Sequence, residues 1–270
     1  MLRIVVCLFF ALLFQGSEVL AWGPEGHSAI AEIAQRRLTQ QAQSKIELIL
    51  GENRSLASLS SWADDYRELH PNTAGWHFVD IPLAAQDYEE VRDCSPSPQG
   101  DCVIHALQRN LVDLQNESLP NDKRTDALKF VVHFVGDVNQ PLHTVKELFG
   151  YNDFPVCYFS SPAKNDCVGT NLHAVWDTGL IRSIFWDWGA YVDYLENKWM
   201  VEHDISTISE GTPVDWALEA HQAARNVVVA GLTTNEPLGK EYLQAVRPTL
   251  DRQIAAAGLR LARVLNDALR

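Results

Sequence analysis

The sequence predicts an all-α protein, a single globular helical domain with decorated loops. Three observations carry this reading: apolar residues recur at helical spacing along most of the chain, strand-like alternation is scarce, and no repeat or linker divides it. After His27, Ile30, Ile33 and Ala34 share one helix face, and Ile46, Ile49 and Leu50 do so in the next segment. Ile104, Leu107, Leu111 and Leu114 continue the pattern, and Ala127, Phe130, Val131, Phe134 and Val138 form a broad apolar stripe. Residues 213–230, 236–246 and 249–268 read as three further helices, with Pro213 and Pro237 near the starts of two. Only residues 76–81 and 156–159 alternate as strands do, and residues 145–170 form the longest irregular stretch.

The first residues, MLRIVVCLFFALLFQGSEVLA, have the layout of a signal peptide: a basic start, a short apolar core and a small residue before the cut. Cleavage after Ala21 is expected to leave Trp22 as the mature N-terminus and residues 22–270 as one domain, secreted or periplasmic. The apolar run is too short for a spanning helix, so no membrane anchor is expected. Four cysteines then remain, Cys94, Cys102, Cys157 and Cys167, in Pro- and Gly-containing stretches. An exported chain with an even number of loop cysteines points to disulfides. Four cysteines allow three pairings, and the two local loops are favoured over the crossed ones. No Cys-x-x-Cys spacing suggests a thiolate metal site.

The net charge of −13 argues against a protein that coats duplex DNA, although bound cations would supply local positive charge. Carboxylates and histidines cluster in four short segments: SSWADDYR, GWHFVDIP, HFVGDVNQPLH and NLHAVWD. His133 and Asp137, and likewise His173 and Asp177, stand at i and i+4, so each pair projects from one helix face. Such a pair is often no more than a surface hydrogen bond. His133 and Asp137, however, sit in an apolar stripe, where an unpartnered carboxylate is costly. Pro141 ends that helix and lets His143 return toward the same region. Imidazole and carboxylate donors without thiolates suit catalytic zinc, and the chemistry points to a secreted, multinuclear metal hydrolase.

Taken in order, Trp22-Gly23…Gly26-His27, SWAD-x-x-R, HF-x-D, H-x-x-GD-x-x-QPLH and NLH-x-x-WD resemble the zinc-dependent type I nucleases. That family comprises fungal single-strand nucleases, plant bifunctional nucleases and bacterial relatives, and shares its fold with the bacterial zinc phospholipases C. The resemblance implies three Zn2+ ions per chain. One would be held by Asp64, His77, His133 and Asp137, with the W-A-D order selecting Asp64 over Asp65. A second would use His143, His173 and Asp177. The third would take His27, a bridging Asp137, and the free amine and carbonyl oxygen of Trp22. Asp64 and Arg67 would serve catalysis, Arg67 by holding charge on the phosphoryl oxygens. Phe78 would stack a base and Asp80 would hydrogen-bond its edge.

The implied reaction is hydrolysis of single-stranded DNA and RNA to 5′-phosphate products, with 3′-nucleotides as further substrates, by a monomer without a stable protein partner. The fungal enzymes carry an aromatic shortly before Asn-Leu-His, where this chain has Cys167-Val168-Gly169-Thr170. Tyr151, Phe154, Tyr158 and Phe159 are the candidates to replace it. His70, His105, His203 and His221 match no motif. Two rival readings are a zinc phospholipase C, against which the final ligand Asp177 argues, and a non-catalytic secreted zinc-binding protein, which would need no Arg67.

Overall fold

The computed structural model describes residues 22–159, 167 and 169–270, so the expected signal peptide lies outside the described residues. Helices dominate: α1 (Pro24–Gln35), α2 (Gln40–Leu50), α3 (Trp62–Leu69), α4 (Val103–Gln115) and α5 (Asn121–Asp137) make the first half. The second half holds α6 (residues 172–184), α7 (residues 188–202), α8 (residues 213–228) and α9 (Lys240–Ala268). Local chemistry starts them. Pro24 opens α1, where a missing N–H is harmless. Thr39 caps α2 and Asp187 caps α7 by accepting from a backbone N–H, and Thr212 with Asp215 forms a capping box on α8.

The core lies around α5, in which every residue from Ala127 to Asp137 except Lys129 is buried. Helix α9 packs closely on α1. A side chain at Gly258 would place a Cβ 2.5 Å from Ile33, so glycine sets the distance between these two helices. The expected break between residues 246 and 249 is absent: α9 runs unbroken through Pro248. Pro248 is exposed, so water can serve the carbonyl that its missing N–H leaves free. Residues 76–81 are not a strand either. The 3-10 turn Pro71–His77 runs into extended backbone that donates to the carbonyl of His143 from Val79, at 2.8 Å, rather than to a sheet.

The one sheet among the described residues is small, with Pro155–Tyr158 between Gly169–Asn171 (antiparallel) and Pro237–Leu238 (parallel). Both local disulfides are present, Cys94–Cys102 and Cys157–Cys167. Among the described residues no helix is long and apolar enough to cross a membrane.

Candidate metal centre

The buried end of α5 presents His133 and Asp137, both fully buried, toward α1, α3 and the turn that ends at His77. Asp137 Oδ2 lies 3.1 Å from His77 Nδ1 and 3.2 Å from His133 Nε2, while its Oδ1 lies 3.3 Å from His27 Nε2. His77 Nδ1 and His133 Nε2 are 3.1 Å apart. Asp64 Oδ1 stands 3.6 Å from His133 Nε2, 3.7 Å from His77 Nδ1 and 3.5 Å from Arg67 Nη2. Its neighbour Asp65 is exposed.

Ligands about 2.0–2.1 Å from a tetrahedral metal ion stand about 3.3 Å from one another, which is the spacing of these atoms. His27 Nε2, Asp64 Oδ1, Asp137 Oδ1, His143 Nε2 and His173 Nε2 are buried without a hydrogen-bond partner among the described residues. So many unpartnered nitrogen and oxygen atoms in one place form a set of ligands that could hold metal ions.

A second group follows Pro141. His143, on the short turn Pro141–Thr144, meets His173 and Asp177 of α6, and one ligand atom from each lies within 4.8 Å of the other two. A π-turn over Val175–Gly179 carries Asp177. Three of the imidazoles are aimed by backbone carbonyls: Nδ1 of His133 donates to Ser60 O, that of His143 to His77 O, and that of His173 to Gly150 O, at 2.6–2.7 Å. Each Nε2 is thereby turned inward. His27 depends on a gap instead. A Cβ at Gly136 would sit 2.8 Å from its Nδ1. Trp22 reaches both groups: its indole donates to Gly136 O at 3.1 Å, and the next residue, Gly23, donates its N–H to Asp177 O at 2.7 Å.

The electrostatics divide the histidines. Burial holds His27 down at about 4, and His77 and His173 at about 3; it lowers His143 too. Burial also opposes charge on His133, but the Asp137 and Asp64 carboxylates outweigh it and hold the ring up at about 9. Asp177, buried among carboxylates with the Gln140 amide as its hydrogen-bond donor, is pushed well above the usual range.

Beside the second group lies a pocket lined by Phe78, Asp80, Leu142, His143, Val145, Phe149, Gly150, Asn152 and His173. Phe78 and Phe149 pack edge to face at its rim, ring centroids 6.0 Å apart and nearly perpendicular. Burial raises the Asp80 carboxyl. The sequence reading overlooked Phe149. The candidates it offered lie elsewhere: Tyr151 and Phe154 are buried against each other, and Tyr158 is buried with its hydroxyl on Ser183. Phe159, partly exposed, follows the strand, whose backbone it extends by donating to Leu238 O.

Phe149 is placed by four successive left-handed residues, Leu148, Phe149, Gly150 and Tyr151, with φ between 49° and 63°. Such backbone costs about 1–2 kcal/mol at each non-glycine position. Only Gly150 hints at it in the sequence, and there a Cβ would meet Leu142 O at 2.6 Å. The unmatched histidines stay outside these groups. His70 bonds Tyr66 O and His203 bonds Trp199 O, His221 is buried on α8, and His105 neighbours cysteines already joined in a disulfide.

A family model described as S1/P1 Nuclease matches residues 22–270. Nuclease P1 of Penicillium citrinum is 31% identical over 91% of this chain and 97% of its own length. Endonuclease 2 of Arabidopsis thaliana is 30% identical over 94% and 93%, and Nuclease S1 of Aspergillus oryzae 30% over 89% of each. The helical fold, the ordered motifs and the matched length agree, and the chain belongs to the S1/P1 nuclease family.

Proposed function

We propose that the protein is a zinc-dependent nuclease that hydrolyses phosphodiesters of single-stranded DNA and RNA, leaving 5′-phosphates, and that also removes phosphate from 3′-nucleotides. One observation carries the reading: a carboxylate shared by three imidazoles at 3.1–3.3 Å stands near a second His-His-Asp group that borders an aromatic pocket. The relatives' names, all nucleases or endonucleases, support it.

Asp64, His77, His133 and Asp137 would hold one ion, His143, His173 and Asp177 a second, and His27, Asp137 and the Trp22 backbone a third. Bound zinc would supply Lewis acidity, bringing the pKa of water from about 15.7 toward ~7 and drawing charge from phosphate oxygens. The chain's own residues do the rest. Asp137 presents one oxygen to His27 and the other to His77 and His133, and so would serve two of the positions. Arg67, mostly buried and 3.5 Å from Asp64, offers a fixed cation for charge that builds on the phosphoryl group. The exposed parts of Phe78 and Phe149 would offer a base a surface to stack on, and Asp80 would accept from its edge. A duplex keeps its bases stacked and cannot insert one, whereas a single strand can.

The Trp22 amine exists only if the chain is cut after Ala21. Export would then complete the third position, and the anchoring of Trp22 to Gly136 and of Gly23 to Asp177 supports this. The test uses the protein beginning at Trp22, assayed on denatured DNA, RNA, duplex DNA, a 3′-nucleotide and lecithin, with metal analysis before and after chelation. Three zinc ions per chain, cleavage of the single strands and loss of activity on chelation are expected. Release of phosphocholine alone, or intact single strands with full metal, overturns the reading. A protein with one residue added before Trp22 should bind one zinc fewer.

A further inference from the structure

We infer that Gln140 is a positioning residue that restricts Asp177 to a one-oxygen ligand and so keeps the His143–His173–Asp177 ion open to substrate. The inference rests on the proposal that these three residues hold a metal. Gln140 is fully buried and follows α5 by three residues. Its Nε2 donates to Asp177 Oδ1 at 2.6 Å, and its Oε1 accepts from Leu142 N at 2.5 Å. The second bond fixes the amide orientation, because a backbone N–H can only donate and must face the oxygen. The NH2 group is therefore aimed at Asp177.

Asp177 has a second oxygen, Oδ2, 3.5 Å from His173 Nε2. That atom faces the histidines while Oδ1 is occupied by the amide. A carboxylate free to rotate would offer both oxygens and fill a coordination position that catalysis needs empty. Asp137 makes the contrast, since both its oxygens face imidazoles.

The backbone around Gln140 is held independently. Its N–H donates to Asp137 O at 2.9 Å. The preceding Asn139, also fully buried, donates to Val135 O at 2.7 Å and accepts from Arg260. Arg260 in turn donates to Ile208 O at 3.1 Å and pairs with Glu219 at 2.5 Å. Losing the Gln140 side chain therefore leaves the segment anchored.

The test compares Gln140→Glu, Gln140→Met and His143→Ala with the unaltered protein, all beginning at Trp22. Each is stripped of metal and titrated with Co2+, read by calorimetry and by visible absorption. Gln140→Glu keeps the oxygen that accepts from Leu142 N but loses the NH2 donor. Both Gln140 variants should keep the number of ions yet bind one of them about 10–100-fold more weakly. The Co2+ absorption of that ion should also fall, as the freed second oxygen raises its coordination number. Both Gln140 variants should still unfold in one cooperative transition when metal-free. His143→Ala should lose one ion outright, and if it does not, the metal assignment itself fails. If His143→Ala loses an ion while both Gln140 variants bind and absorb as the unaltered protein does, Gln140 is a packing residue and the inference is overturned.

Discussion

The two halves of the metal centre are built by different means. Around Asp137, five side chains from α1, α3, α5 and the turn before Phe78 face one another directly, and carboxylate oxygens fall between imidazoles. Around Asp177, three side chains meet, and neutral groups from outside the triad hold them: the carbonyls of His77 and Gly150, and the Gln140 amide. The first half is a shared-charge cluster rooted in the core. The second is a lighter site at the edge of a pocket, set by loop backbone. Position in the fold decides this, because α5 can bury charged ligands only where several elements converge to pair them.

The difference predicts unequal responses to mutation. Asp137→Asn should reduce phosphodiester hydrolysis by more than about 100-fold and remove more than one ion, whereas Asp177→Asn should remove one. Metal counts on both variants check this, and equal losses would erase the distinction. Gly136→Ala comes next. Its Cβ would press on His27 at 2.8 Å, costing about 1–3 kcal/mol of stability and selectively weakening the ion shared by His27 and Asp137.

Metal-free protein should show the electrostatics of both halves together as a function of pH. Below pH 6.5 the unfolded chain takes up protons on His27, His77, His143 and His173 that the folded chain resists, so stability falls with acid. Asp177, which keeps its proton longer when folded, offsets one of these four. Above pH 6.5 the sign reverses: folded His133 holds a proton until about 9, and the stability it contributes is lost as pH rises through that value. Denaturant unfolding in chelator should therefore give a maximum near pH 6.5, and a monotonic profile from pH 5 to 9 would contradict the assignment.

The smallest effect is expected at the pocket. Phe149→Ala should weaken binding of single strands, read as a raised KM, by up to about 1–3 kcal/mol for a stacked base while leaving metal content unchanged. A change in metal content would mean that the side chain supports the centre rather than the substrate.

Much of the first half was legible in the sequence, because His133 and Asp137 lie at helical spacing in an apolar stripe and that spacing converts directly to a shared face. The long helices were legible for the same reason. Their ends were less so: Pro248 reads as a break, yet stands on an exposed face where α9 tolerates it. The supports of the second half were hidden. Carbonyls of His77 and Gly150 carry no side-chain signature, and a left-handed turn containing Leu148, Phe149 and Tyr151 runs against the preferences of those residues. Phe149 therefore carries no signal of its own, while three of the four aromatics that the sequence offers, Tyr151, Phe154 and Tyr158, are buried.

That turn has an evolutionary consequence. Its backbone has two duties at once, since the carbonyl of Gly150 steadies His173 while the residue before it forms a wall of the pocket. A change that relaxed the backbone would disturb ion binding and substrate choice together, and selection would see only the combined loss. The side chain of Phe149 is under no such double constraint, being half exposed and bonded to nothing in the centre. If the pocket holds substrate as proposed, preference among substrates can drift through that one side chain while the metal ligands stay fixed, which separates what the enzyme does from what it prefers to do it to.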